Sequence, residues 1–292
     1  MTKILLDTDI GTDVDDAVCL AYLLSHPDCE LMGITTVTGE SEKRASLASV
    51  LCKAAGKDIP IYPGAEYPMR GEQRQPIAQQ AASLQRWPHE TTFPLNQAVD
   101  FLANTIRAYP GEVTLLTVGP LTNIGMLFSA YPDVADLLAG LVMMGGSFGD
   151  VPALKDRIEW NIAGDLIAST LAHKTSVRLH RSLGLNVTQQ VMMEAEEVRE
   201  RFTTPLLQPV VDMAEIWFSQ FYPSITFHDP LAAAVIFEPD LCSYQQGTVT
   251  IEDGDKPGKT IFQPGETNGP HQVAMTVDVD RYFQHFSGVV GI

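Results

Sequence analysis

Three observations predict an α/β fold: a mainly parallel central sheet with helices on both faces, a Rossmann-like core, and an elaborated C-terminal third. Short apolar or β-branched runs alternate with helical patterns over the first two thirds of the chain. Acidic or glycine-bearing turns follow several of those runs directly, as they do where ligands gather beyond the carboxyl ends of parallel strands. No internal repeat or Gly/Ser linker divides residues 1–292, so a single domain is expected.

The elements follow in order. Ile4–Thr8 reads as a buried strand, and Asp15–Leu24 (DDAVCLAYLL) as a helix with acids at its positive end and a stop near Pro27. Leu31–Thr38 (LMGITTVT) is strand-like, and Glu42–Ala55 is a helix ended by Gly56. The rhythm continues with a strand at Ile59–Tyr62, a helix at Asn96–Ala108, a strand at Val113–Val118 and a helix at Leu121–Ser129. It closes with a strand at Leu141–Met144, a helix at Asp165–Ala172 and a strand at Ser176–Leu179. Beyond these, Glu194–Phe202, Leu206–Phe221 and His228–Phe237 read as helices, and Gly247–Ile251, Lys259–Phe262 and Gln272–Val277 as an antiparallel extension. Gly64–Pro94 is rich in Pro, Gln, Gly and Arg with little periodicity, the pattern of an active-site flap.

Charge narrows the partners. Lysine and arginine number 19 against 36 acidic residues, a net charge of −17 that repels nucleic acid and anionic membrane surfaces and favours cations and neutral small molecules. Cys19, Cys29, Cys52 and Cys242 lack metal-type spacing and read as buried free thiols of a reducing cytoplasm. Neither a signal-peptide core nor a membrane-length apolar run is present.

Chemistry concentrates in LLDTDIGTDVDDA, where Asp7, Asp9, Asp13, Asp15 and Asp16 crowd one strand end around Gly11. Such a self-repelling cluster calls for a hard cation or a proton-transfer task. Asp9 and Asp16 are candidate Ca²⁺ ligands, and Asp15 is a candidate proton acceptor for a water acidified by the cation. Phe227-His228-Asp229-Pro230 in isolation reads better as a capping Asp beside a packed His, but next to the first cluster it supplies a distant carboxylate and a histidine that is a candidate acid or substrate contact. Glu159-Trp160-Asn161 fits a polar helix start as readily as a functional motif, and Val118–Asn123 reads mainly as strand, turn and helix cap, with a carbonyl freed at the strand end for a cation. Trp87, His89, Trp217, Phe221 and Tyr222 are aromatic candidates for stacking on a planar ligand, or for core.

Together the segments DTDIGTDVDDA (7–17), ITTVTG (34–39), VGPLTNI (118–124), MGG (144–146), EWN (159–161), NVT (186–188), FHDPLAA (227–233) and VDVDRYF (277–283) resemble the inosine-uridine-preferring nucleoside hydrolase family over nearly the whole chain. The resemblance implies hydrolysis of the N-glycosidic bond of a nucleoside to base and ribose, on a Ca²⁺ held by Asp9, Asp16, Asp229 and the carbonyl of Val118. It further implies Asp15 as general base, Glu159 and Asn161 on ribose hydroxyls, His228 near the leaving base, and a homodimer or homotetramer. An oxocarbenium-like transition state fits such a site, since hydroxyl contacts and carboxylates strengthen as positive charge develops.

The chain departs from the family pattern DTDxGxDDA by two extra residues, Asp13 among them. Glu40 stands where Asn is usual, and the Asn expected before the EWN segment is not recognisable between Gly149 and Ile158. Both positions usually touch sugar, which leaves a plain ribonucleoside, a modified nucleoside and another ribosyl compound open. As a carboxylate beside the ribose, Glu40 is expected to disfavour 5′-phosphates. Two rival readings are a non-catalytic ribosyl-binding homologue and a haloacid-dehalogenase-like phosphatase using Asp7 and Asp9, in which Asp15 and Asp16 would be surplus.

Overall fold

The computed structural model describes residues 1–149, 151–154, 156–220, 222–265 and 269–292; Phe221, an expected helix end and candidate stacking residue, lies outside them. Six strands lead the chain: β1 (Thr2–Thr8), β2 (Cys29–Thr36), β3 (Ile61–Pro63), β4 (Val113–Thr117), β5 (Gly140–Met144) and β6 (His180–Leu183). A separate antiparallel pair follows, β7 (Met192–Glu194) with β8 (Ser224–Thr226), and then β9 (Cys242–Ile251), β10 (Thr260–Pro264) and β11 (His271–Val277). The main sheet has the order β10-β9-β11-β6-β5-β4-β1-β2-β3. It is parallel from β3 through β11, and β9 joins β11 and β10 antiparallel, as the C-terminal extension required.

Strand β1 explains why both faces are covered. Ile4 and Leu6 point into one core, shared with helices Asp15–Ser25, Ser41–Ala54, His228–Phe237 and Val279–Val290. Leu5 points into the other, against helices Ala98–Ala108, Thr122–Ala130 and Leu166–Lys174. Each fully buried Leu or Ile stabilises the fold by roughly 1.5–3 kcal/mol, and a strand with such residues on both faces sits only in the interior of a parallel sheet.

Two expectations change. The sixth strand is His180–Leu183 rather than Ser176–Leu179, because the polar His180 and Ser182 are buried there beside Leu183, where an apolar pattern gives no signal. Helix Val279–Val290 had no counterpart in the expected elements. Tyr282, Phe286 and Val290 bury one face at four-residue spacing, Asp278 caps the start by accepting from the Arg281 N–H at 3.1 Å, and Gly291 ends it at φ +76°. Among the described residues no helix is long and apolar enough to cross a membrane.

Candidate active site

The turns after β1, β4 and β5 and the start of helix His228–Phe237 meet at the carboxyl end of the sheet, around a cavity of about 370 Å³. That size suits a small-molecule ligand. Its acidic lining is Asp9, Asp13, Asp15, Asp16, Glu159 and Asp229. Helix Asp15–Ser25 starts on Asp15 and Asp16, and helix His228–Phe237 packs against it, which brings Asp229 across more than two hundred residues. One oxygen from each of Asp15, Asp16 and Asp229 lies within 4.8 Å of the others, and all three residues are buried. Oxygens around one Ca²⁺, each at about 2.3–2.6 Å, share this spacing. An all-carboxylate set with a main-chain carbonyl nearby is likewise what a hard cation selects.

Burial raises the affinity of these carboxyls for protons, and mutual repulsion adds to it: Asp15 and Asp16 are pushed well above the usual carboxylate range, as is Asp229. Asp9 is also raised by burial, against the pull of the Arg44 guanidinium and a hydrogen bond from Gln75 Nε2 to its Oδ2 at 2.9 Å. Asp9 lines the same cavity beside the three-carboxylate group, and the Asp9 charge is felt by Asp16. The Thr8 hydroxyl donates to Asp16 Oδ1, and Asp15 Oδ2 accepts from the Asp229 N–H at 3.1 Å, so the cluster is oriented from both ends. Gly119 is required here, because a Cβ would come within 2.8 Å of Asp9 Oδ1.

Val118 lies one residue past β4, and its carbonyl accepts from Asn161 Nδ2 at 2.8 Å. The other Asn161 amide hydrogen goes to the Met144 carbonyl at 3.1 Å, which leaves Oδ1 to accept from a ligand hydroxyl. Glu159 caps the helical turn Trp160–Gly164, accepting from Asn161 N, Ile162 N and Gly146 N at 2.7, 3.0 and 3.1 Å. Burial outweighs these bonds and pushes its carboxyl up to about 7. The capping role and the place in the cavity are therefore combined in one residue.

His228 is half-buried and lines the cavity, with Nδ1 2.6 Å from the Thr188 hydroxyl. Burial, aided by the nearby Arg157 charge, pushes its pKa down to about 4, so the ring is neutral at pH 7. Asp13 also lines the cavity, while its Oδ1 accepts from Val14 N at 2.6 Å and burial pushes it up to about 6. Asp7 faces away: fully buried, it accepts from the Thr35 hydroxyl and from Asn123 Nδ2 at 2.7 Å. A carboxylate so enclosed has no path to a phosphoryl group, which removes the nucleophile a phosphatase of the haloacid-dehalogenase type would need.

Glu40 is not brought to the cavity. Its backbone is left-handed at φ +59°, where Asn is at ease and Glu is not, and its carboxylate pairs with Lys43 and accepts from Ala78 N at 2.9 Å. The expected sugar contact at this position is thereby corrected. Trp87 and His89 also lie elsewhere: Trp87 Nε1 donates to Asp212 at 3.0 Å and His89 bonds the Trp87 carbonyl. Trp217 and Tyr222 do line the cavity and stack on each other, with centroids 4.0 Å apart.

Several lining residues lay outside the expected site, Gln75, Trp160 and Arg157 among them. Gln75, from the predicted flap, bridges Asp9 to Trp160, whose Nε1 donates to Gln75 Oε1 at 2.6 Å. Trp160 sits inside the EWN segment, which singled out its neighbours instead. Arg157 lies in the stretch searched for an Asn. Beneath the loop, fully buried Arg44 donates to Gly39 O, Ile10 O and the Thr12 hydroxyl at 2.8, 3.2 and 3.1 Å and also to Asp9 O, holding the two-residue expansion in place.

A parallel sheet with a carboxylate-lined crevice at its carboxyl end is the place where α/β enzymes bind a small-molecule ligand. Residues 4–284 match the family model for inosine-uridine preferring nucleoside hydrolases, and the chain belongs to that family. It is thus an enzyme of the N-glycosidase class. The non-specific ribonucleoside hydrolase of Salmonella newport (strain SL254) is 31% identical over 96% of this chain and 95% of its own length. Uridine nucleosidase 1 of Arabidopsis thaliana is 27% identical over 97% and 91%. Among solved structures, a plant nucleoside hydrolase superposes with a TM-score of 0.82 at 25% identity over 99% of this chain and 98% of that one. A purine-preferring ribonucleoside hydrolase from Gardnerella vaginalis gives 0.84 at 24% identity over 99% and 98%, a likeness of fold.

Proposed function

We propose that this protein hydrolyses the N-glycosidic bond of a ribonucleoside, releasing base and ribose, in a calcium-dependent reaction. The observation that carries this reading is the buried group of Asp15, Asp16 and Asp229, whose oxygens lie within 4.8 Å of one another at the carboxyl end of the sheet. Asp9, Asp16, Asp229 and the Val118 carbonyl would hold the cation. Calcium, when bound, supplies the charge that neutralises these carboxylates and makes a water more acidic.

The remaining work falls to the chain itself. Asp15, held by the Asp229 N–H, accepts the proton of the attacking water. Asn161, both of whose amide hydrogens are used, offers its side-chain Oδ1 to a ribose hydroxyl, and Glu159 places a carboxylate nearby whose attraction grows as the ribose becomes cationic. His228 stands at the cavity wall as a neutral ring. If the Thr188 hydroxyl donates to Nδ1, Nε2 carries hydrogen and is oriented to donate to the leaving base. The four cysteines are free and buried, which supports a reducing compartment.

Incubating the purified protein with a panel of ribonucleosides in calcium, with and without chelator, and measuring released reducing sugar tests the proposal. Calcium-dependent release from at least one nucleoside is expected. Tight ribosyl binding without turnover would support the non-catalytic alternative instead.

A further inference from the structure

N-glycosidic cleavage separates charge, and the cavity is charged unevenly. As the C1′–N bond breaks, its electron pair goes to the base nitrogen, so positive charge grows on the ribose and negative charge on the base. Acidic side chains crowd the calcium end of the cavity, whereas Arg157 is the one guanidinium that lines it among the described residues. In a cavity so rich in carboxylates an arginine within reach would form an ion pair; among the described residues Arg157 forms none. It lines the cavity together with His228, the residue placed near the leaving base.

We propose that Arg157 receives the departing base, stabilising it as an anion by charge-assisted hydrogen bonding rather than by proton transfer. The inference rests on the N-ribosyl hydrolase reading and adds, beside the neutral hydrogen bond from His228, the positive charge that the departing base needs. The step balances: water oxygen bonds C1′, the water proton passes to Asp15, the glycosidic electron pair stays on the base nitrogen, and the base anion takes a proton from solvent after leaving the guanidinium. A guanidinium suits this task because it stays charged at all working pH and presents paired donors to a ring nitrogen and a neighbouring carbonyl oxygen. The substrates favoured are nucleosides whose bases leave as delocalised anions with such an oxygen, the oxopurines and oxopyrimidines.

The test compares leaving groups. Arg157 is exposed at the rim, so Arg157→Met removes the charge without opening the core. In calcium, Arg157→Met should lower kcat on inosine and uridine by on the order of 10²-fold with little change in KM. It should leave 4-nitrophenyl β-D-ribofuranoside, whose leaving group needs no such help, nearly unaffected, and Arg157→Lys should recover part of the loss. Equal losses on all three substrates, or none, would overturn the role of Arg157 while leaving the hydrolase reading intact. A wild-type protein that cleaves neither nucleosides nor the nitrophenyl riboside would overturn both.

Discussion

At opposite ends of one parallel sheet, the molecule buries two sets of ionisable side chains, and they behave in opposite ways. At the carboxyl ends, Asp15, Asp16 and Asp229 converge on an open cavity with their affinity for protons raised by burial and mutual repulsion. At the amino ends, His180 opens β6 and His271 opens β11, and His173 from helix Leu166–Lys174 closes the group, with ring centroids 4.5–5.7 Å apart. The histidines do not join the cavity, and part of their hydrogen bonding is to backbone: His173 to the Ser169 carbonyl and His271 to the Val249 N–H and the His173 carbonyl. Burial lowers the pKa of each. A histidine can be buried simply by staying neutral, whereas a carboxylate trio at neutral pH must take up protons or a cation. The histidines therefore read as packing and the carboxylates as a site.

This contrast is broken most severely at Asp15. Asp15→Asn should keep the fold and the calcium while losing ~10²–10⁴-fold in turnover, the usual cost of removing a general base. Near-normal turnover would move the base to Asp13, which also lines the cavity.

The amino-end group yields a stability prediction. His173 is displaced from 6.5 to about 4, so between those values the unfolded chain binds a proton that the folded chain refuses. The stability this histidine contributes is present above pH 6.5 and lost as pH falls toward 4, by about 3 kcal/mol in all. The carboxylates act with the reverse sign in calcium-free protein, where raised pKa values favour the folded state as pH falls. Urea unfolding from pH 7 to 4.5 in saturating calcium should show a shallower acid loss in His173→Leu than in the wild type. Equal slopes would mean that His173 is charged in the folded protein.

Legibility differed between these regions for physical reasons. Asp9, Asp15, Asp16 and Asp229 were readable because carboxylates at a strand end or helix start are costly without a task, and the alternation of strands and helices already placed them at one edge. Glu40 misled because adjacency in sequence says nothing about direction; its left-handed backbone turns the side chain to Lys43 instead. Gln75 and Arg157 come from irregular segments with no period to fix their orientation, and Arg44 looks in sequence like any helix-surface cation although it is fully buried. The histidine group escaped notice because polar residues at the starts of β6 and β11 disguise buried strands.

The smallest effect is expected at Glu40. Its ion pair with Lys43 is partly exposed, so Glu40→Asn should change stability by no more than about 0.5 kcal/mol and leave the ratio of kcat/KM for nucleosides to that for their 5′-monophosphates unchanged. A shifted ratio would return Glu40 to the substrate.

Calcium titration into chelator-stripped protein, followed by calorimetry and by nucleoside turnover on the same samples, addresses the carboxylate cluster itself. The account predicts one calcium per chain, turnover rising in proportion to occupancy, and neither binding nor turnover in Asp229→Ala. Full turnover in the stripped protein, or undiminished calcium binding by Asp229→Ala, would contradict it.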